Sequence, residues 1–308
     1  MSRRRDRRGV ALMLALWLIV VLGAIAAGVA ASTRSESTLV LNVRTRTAAR
    51  YAAESGVIAA TARLYELLGR AGAPEEQALV FRGLDEQFVA LREADVGGAR
   101  FGIAVVDLSA RVDLNRAPAE TISGLLAQFA GTRDVASLGA ALQDWKDADD
   151  RALSGGAEAE EYRRAGSPFV PPNGPLRRLD ELTRIIGFTD SLASALAPYV
   201  TVDGDLRINV NSAPEVVLAA IVGPSGARVL VARREADGPF PTMVDVLKAM
   251  QGATFSPGAF LHLSVLPTRL LIVSRGWEPG HPLTHEIQAV YELRSSTLVL
   301  RSWRERDL

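Results

Sequence analysis

From Val10 to Ala31 the chain runs 22 residues without a charge. A helix of that length is ~33 Å long, close to the hydrocarbon thickness of a bilayer. A soluble core helix this long carries a polar face, and this block has none. The pattern then changes without a break. From Ser32 to about Arg70 there is no proline, and TRTAARYAAESGVIAATARLYELL is rich in good helix formers. Tyr51, Ile58 and Tyr65 recur every seven residues, with Val57 and Leu64 beside the last two, so an amphipathic helix is expected to continue the apolar one. Gly69, Gly72 and Pro74 should end it, and residues 75–95 read as a shorter helical piece. Residues 99–115 read as two strands around Ser109. Three more strands are expected at 269–277, 284–293 and 296–303, the first two separated by Gly276, Pro279, Gly280 and Pro282. Helical patterns fill the middle. The fold expected is α+β: a long N-terminal helix packed on an antiparallel sheet, interrupted by a large helical insertion.

Within that middle, VDLNRAPAETISGLL (112–126) and INVNSAPEVVLAAI (208–221) share one pattern: hydrophobic–x–hydrophobic–Asn–x–Ala–Pro, then an apolar-periodic helix. Asn115 and Asn211 are placed to accept from a free helix N–H as an N-cap or Asx-turn does. Pro118 and Pro214 stand where the helix needs no donor, and Glu120 and Glu215 favour its positive start. The second copy also resembles a helix-hairpin-helix module, with its hairpin at residues 223–226. A looser copy is read in RRLDELTRIIGFTDSLASALAPYVTV, turning at Gly187.

Charge limits what this module does. The chain is neutral, 35 basic against 35 acidic residues, but Arg3, Arg4, Arg5, Arg7 and Arg8 precede the apolar block, so the remainder is mildly acidic. Between Asn211 and Gly252 four basic residues meet four acidic ones. A phosphate-binding face shows a basic excess, so nucleic acid is not an expected partner. There is no cysteine, which removes disulfides and thiolate chemistry. His262, His281 and His285 read as turn or surface residues, and no catalytic motif appears, so no enzyme is expected.

Residues 141–166 crowd Asp144, Asp147, Asp149, Asp150, Glu158, Glu160 and Glu161 into one stretch. Such carboxylates repel unless solvated or sharing a cation. Asp147, Asp149 and Glu158 match the first, third and twelfth positions of a calcium loop, but Arg151 and Ala152 do not suit an EF-hand.

The start, Arg-Arg-Gly then Val10, resembles the type IV prepilin signal. A cleaved secretory signal (Ala24-Ile25-Ala26) and a plain anchor are the rival readings. The resemblance implies cleavage by a prepilin peptidase between Gly9 and Val10. The fifth mature position, glutamate in ordinary pilins, is here Leu14. Loss of that glutamate, the YAAESG stretch, both Asn–Ala–Pro turns and the Asp144-Trp145-x-Asp147-x-Asp149 and Gly155-Gly156-Ala157-Glu158-x-x-x-Tyr162 patterns together resemble the K-type minor pseudopilins of type II secretion. What the resemblance implies is a subunit at the tip of a periplasmic pseudopilus, supporting protein export across the outer membrane. Its partners would be other minor pseudopilins, the major pseudopilin and the inner-membrane secretion platform. It also implies calcium, with Asp144, Asp147, Asp149, Glu158 and Glu161 as the candidate set, against a solvated loop as the bland alternative. A membrane-anchored helix-hairpin-helix DNA receptor and a type IV minor pilin are the alternatives.

The organisation expected is a leader at 1–9, a transmembrane helix at 10–31 and its periplasmic continuation at 32–70. A pseudopilin α/β part follows at 71–114, an inserted helical domain at 115–205, the second Asn–Ala–Pro segment at 206–266 and C-terminal strands at 267–308. The arginines place the N-terminus in the cytoplasm of a single-pass bacterial inner-membrane protein. The stripe Leu39, Val43, Tyr51 and Ile58 is the expected seat of the partner subunits, and the same stripe is expected to cover the sheet.

Overall fold

A computed structural model describes residues 3–131, 133–252, 257–294 and 296–308, and within the first helix the side chains of 10–28 and 40–70. Helix α1 (Arg3–Arg70) is unbroken. Every side chain described from Val10 to Gly28 is exposed or half-exposed. Further along, Ala49, Ala52, Ala53, Val57, Ala60, Leu64 and Leu68 are buried against the sheet. The sequence expectation for this face needs correction. Tyr51 and Ile58 point to solvent, 64% and 68% exposed. The covering stripe is the small-residue row one position round the helix. Small residues win because helix and sheet come very close. A Cβ on Gly276 would lie 2.1 Å from the Ala49 carbonyl oxygen, and one on Gly56 2.2 Å from Ser274 Oγ. Tyrosines cannot occupy that seam. The side chain of Leu39 lies outside the described residues.

The chain turns at Gly72 into α2 (Pro74–Arg82) and α3 (Leu84–Gln87), then enters β1 (Ala94–Val96) and β2 (Ala99–Asp107). After a long excursion it returns as β7 (Arg269–Trp277), β8 (Thr284–Arg294) and β9 (Thr297–Asp307). The antiparallel sheet has the order β1-β2-β7-β8-β9. The excursion therefore leaves and re-enters between paired neighbours, Asp107 opposite Leu270. Ser109 Oγ closes this neck by accepting from the backbone N–H groups of Thr268 and Arg269.

The excursion contains β3 (Val112–Asp113), α4 (Ala119–Leu126), α5 (Val135–Lys146), α6 (Ala159–Arg164), α7 (Asp190–Leu196), β4 (Val200–Thr201), β5 (Ile208–Asn209), α8 (Glu215–Asp237), α9 (Met243–Ala249) and β6 (Leu263–Ser264), with short 3-10 turns at Leu179–Arg184 and Pro257–His262. Its two Asn–Ala–Pro segments share one hydrophobic core, from Val112 and Trp145 through Leu218 to Met250. β3 pairs in parallel with β4, and β5 in parallel with β6. Each copy is thus two helical hairpins closed by a parallel strand pair. The segment RRLDEL…VTV is accordingly the second half of the first copy, matching FPTMVDVL…LHLS, rather than an independent repeat of the first half. The hairpin of the second copy is tighter than its sequence suggests. The break in α8 is confined to Gly223 (φ 78°), while Gly226 lies inside the following helix, where a Cβ would meet Met250 at 2.7 Å.

Among the described residues, two stretches are long and apolar enough to cross a membrane, Val10–Gly28 and Glu215–Asp237. The second is broken at Gly223 and buries Val217, Leu218, Val222, Ala227 and Leu230, so its apolar character serves the core.

Candidate assembly helix and acidic pocket

The asparagines of the repeat do not cap helices. Asn211 Nδ2 donates to the carbonyls of Phe240 and Val265, both at 2.8 Å, and its Oδ1 accepts from Phe240 N–H at 2.7 Å. Asn115 does the same in the first copy: Nδ2 donates to Leu176 and Val202, and Oδ1 accepts from Leu176 N–H. Each asparagine is a staple across three strands of chain. The Asx-turn belongs to the residue two earlier, where Asp113 and Asn209 accept from the N–H groups of Asn115 and Asn211. Pro118 and Pro214 are extended residues at the helix start, followed by Glu120 and Glu215 in the first turn.

The acidic stretch lies in the first copy only, between α5 and the second hairpin. Asp144 sits in the last turn of α5 and is fully buried, and Asp147 follows at the C-cap. A carboxylate at a helix C-terminus faces the negative end of the dipole, so nothing in the helix favours its charge. Asp144 accepts from Leu153 N–H. A Cβ on Gly156 would fall 2.0 Å from Asp144 Oδ2, which makes this glycine necessary to the pocket. Glu158, at the start of α6, is 4% exposed, and among the described residues neither of its carboxylate oxygens has a hydrogen-bond partner; Asp147 Oδ1 is buried and equally unpartnered there. Burial, joined by the charges of Asp144, Asp147, Asp150 and Asp149, pushes the Glu158 carboxyl up to about 7. Burial likewise raises Asp144.

Of the candidate ligands, the structure brings Asp144, Asp147 and Glu158 to this pocket and gives two others different work. Glu161 turns back to accept from Glu158 N–H and pairs with Arg164. Asp149 is exposed and accepts from Arg151 N–H. Buried carboxylate oxygens without donors are the donor chemistry of a hard divalent cation. Among the described residues, no three acidic or histidine side chains converge into a finished coordination shell, so a bound ion would have to draw them together.

His285 departs from the surface role its turn-rich context suggests. It is 6% exposed, with Nδ1 2.7 Å from Asp307 Oδ1 and Nε2 3.2 Å from Glu305 Oε2. Those carboxylates also meet Arg46 and Arg50 of α1, so this network ties the helix to the last strand. The signal missed in sequence was the alternation Glu305-x-Asp307, which puts both acids on one face of β9. His281 is exposed and His262 half-buried.

The basic residues of the second copy are already engaged. Arg234 donates to the Val210 and Ala213 carbonyls, Arg233 stacks over Phe240 and pairs with Asp237, and Lys248 pairs with Asp245. Arg228 bonds the Pro224 carbonyl. A phosphate-binding surface has little left to use.

Family models described as type II secretion system protein K match residues 100–204 and 208–264, together more than half of the chain. A type II secretion system protein K of Klebsiella pneumoniae is 30% identical over 169 residues, 53% of this chain and 49% of that protein. One of Pectobacterium carotovorum subsp. carotovorum is 32% identical over 102 residues, 32% of this chain and 31% of that protein. The chain thus matches about half or less of the length of these curated relatives. In fold it is similar to a chain of the crystal structure of the GspK-GspI-GspJ complex from the enterotoxigenic Escherichia coli type 2 secretion system, with TM-score 0.66 and 17% identity over 89% of this chain and 99% of that one. The matched segments begin in β2 and run through both stapled copies to β6, and on that ground the chain belongs to the type II secretion system protein K family.

Proposed function

We propose that this protein is a minor pseudopilin at the tip of the periplasmic pseudopilus of a type II secretion system, where it supports export across the outer membrane. The observation that carries the reading is α1. One unbroken helix is apolar and unburied from Val10 to Gly28, then lies on a sheet through Ala49–Leu68. Such a helix anchors in the bilayer at one end and presents a folded head at the other. The single span leaves the N-terminal arginines in the cytoplasm and the head in the periplasm. Its role is structural rather than catalytic.

Its partners in this reading are other minor pseudopilins, the major pseudopilin and the inner-membrane secretion platform. The exposed stripe Val43, Tyr51 and Ile58 is free of the sheet and is the face on which a neighbouring helix would pack. Prepilin peptidase removes residues 1–9, leaving Val10 as the first residue. Leu14 brings no carboxylate to a neighbour's amine within the hydrocarbon, where an uncompensated charge costs a few kcal/mol. The subunit therefore joins at one end. The acidic pocket takes calcium through Asp144, Asp147 and Glu158.

The deciding experiment is co-purification of the full chain in detergent with its sister minor pseudopilins. A stoichiometric complex that Tyr51→Ala/Ile58→Ala weakens is the expected result. Failure to associate with any of them, or labelled subunits spaced along the fibre shaft, would overturn the reading. Mass spectrometry of the membrane form should show a start at Val10, and Gly9→Leu should leave the leader attached.

A further inference from the structure

At the crotch between sheet and insertion lies a cavity of about 500 Å³ lined by six side chains, all of them charged: Arg116, Asp205, Arg269, Glu292, Arg294 and Arg301. Four guanidiniums face two carboxylates, an excess of two positive charges in a chain that is neutral overall. The sharing is uneven. Glu292 alone serves three of them: it accepts from Arg294 and Arg301 and lies 3.7 Å from Arg269. Arg294, with Arg301 behind it, holds the Glu292 carboxyl below the usual range against the opposing effect of burial. Arg116 stands 3.9 Å from Asp205, too far for a hydrogen bond. Arg269 is largely buried, its side chain 12% exposed, and its Nε is buried without an acceptor among the described residues. Four guanidiniums offer about twenty N–H donors, against about eight acceptor positions on two carboxylates.

The donors come from separate parts of the chain. Arg269, Glu292, Arg294 and Arg301 belong to β7, β8 and β9. Arg116 follows Asn115 in the first copy, and Asp205 precedes β5 of the second. Small-molecule pockets of this size are mostly apolar, and this one has no apolar lining residue. It is also far larger than one inorganic anion, whose share of space is on the order of a few water volumes of ~30 Å³ each. Guanidinium forks match carboxylates in pairs.

We infer that this cavity is a docking site for an acidic polypeptide segment, whose carboxylates take the unfilled arginine donors and bridge the sheet to the insertion. The inference goes beyond membership of a tip complex and does not depend on it. Glu292 acts as an internal competitor that keeps the arginines ordered when no partner is present.

The test uses the full chain in detergent and a fluorescent octaglutamate peptide, measured by anisotropy at low and high salt. Binding should be salt-sensitive. Arg294→Gln/Arg301→Gln should weaken it about tenfold, a shift of about 1.4 kcal/mol. Glu292→Gln, which removes the competitor, should tighten it. Arg228→Gln, on α8, is the control and should change nothing. Because Arg294 is exposed and Arg301 half-exposed, both can be replaced without opening the core. Failure of the peptide to bind, equal binding by the double variant, or weaker binding by Glu292→Gln would overturn the inference. Inorganic phosphate that displaces the peptide at comparable concentration would make this a free-anion site and overturn the polypeptide assignment.

Discussion

The two stapled copies of the insertion build one frame around different contents. In both, a parallel strand pair closes two helical hairpins, and one asparagine joins the first strand to the start of the second hairpin and to the return strand. The copies meet through α4 and α8, where Gly124 packs on Ala220. They differ between the hairpins. The second passes from the end of α8 at Asp237 to Phe240 almost at once. The first inserts the acidic stretch and α6 before reaching Leu176. The second copy shows that the frame closes without that stretch. The pocket of Asp144, Asp147 and Glu158 is therefore an addition, and its unfavourable burial of charge is tolerated because the staple fixes the frame on either side.

The sharpest way to break this comparison is to remove a staple. Asn211→Ala leaves the Phe240 N–H and two carbonyls unpaired in a buried site, at a cost of about 3 kcal/mol. Asn115→Ala, at a half-buried site, should cost about 2 kcal/mol. Chemical denaturation of the full chain would check both, and negligible losses would show that the asparagines do not carry the frame.

The next effect belongs to the pocket. Calcium at a hundred times its Kd would stabilise the native state by about 2.7 kcal/mol. The pH dependence has a defined sign. Burial pushes the Glu158 carboxyl up to about 7 in the folded chain, above its ordinary value of 4.5. Its contribution is fully present below the unfolded value and is lost as pH rises through about 7. With chelator present, Tm should fall between about pH 4.5 and pH 7 and level off above. Calcium should abolish that fall, and Glu158→Gln should abolish both the fall and the calcium increment. Asp147→Asn/Asp149→Asn should also remove the increment, whereas a change at the equivalent edge of the second copy should not. A Tm indifferent to chelator would mean that the added stretch holds no ion.

Smaller effects test the junction and the caps. A Cβ at Gly124 would sit 2.9 Å from the Ala220 carbonyl oxygen, so Gly124→Val should cost about 2 kcal/mol by overpacking. Thr242 caps α9 by accepting from Asp245 N–H while donating to its carboxylate, and Thr242→Ala should cost about 1 kcal/mol. Both are readable as Tm shifts.

Much of this frame was legible in the sequence. The long helix, the strands at both ends of the middle and the two strand-to-helix launch points follow from periodicity, proline placement and turn residues. The work of Asn115 and Asn211 was not. An asparagine before Ala-Pro carries the local signature of a cap, and only tertiary contact with Leu176 or Phe240 makes it a staple. The face of α1 was misread for a related reason. Large residues at heptad spacing mark an interface, but a sheet whose central strand presents Gly276 to α1 needs alanines in the seam and leaves Tyr51 and Ile58 outside. The acidic stretch could be seen as a cluster, yet which carboxylates are buried depends on Gly156 and on the turn from α5 into α6. The arginine cavity gave no sequence signal, because its residues are drawn from β7 to β9, from a loop after β3 and from a loop before β5.

The neck at Asp107 and Leu270 has a mechanical consequence. The insertion hangs from two adjacent strands at the same end of the sheet, so a force that splays their ends apart would peel their hydrogen bonds one after another instead of loading them together. Ser109, which holds both Thr268 and Arg269, takes that load first. Behind it, Asp107 accepts from Asn209 and Ser212, and Arg304 reaches Asp203. Under a load that splays the neck, the first failure would be an unzipping that starts at a single serine.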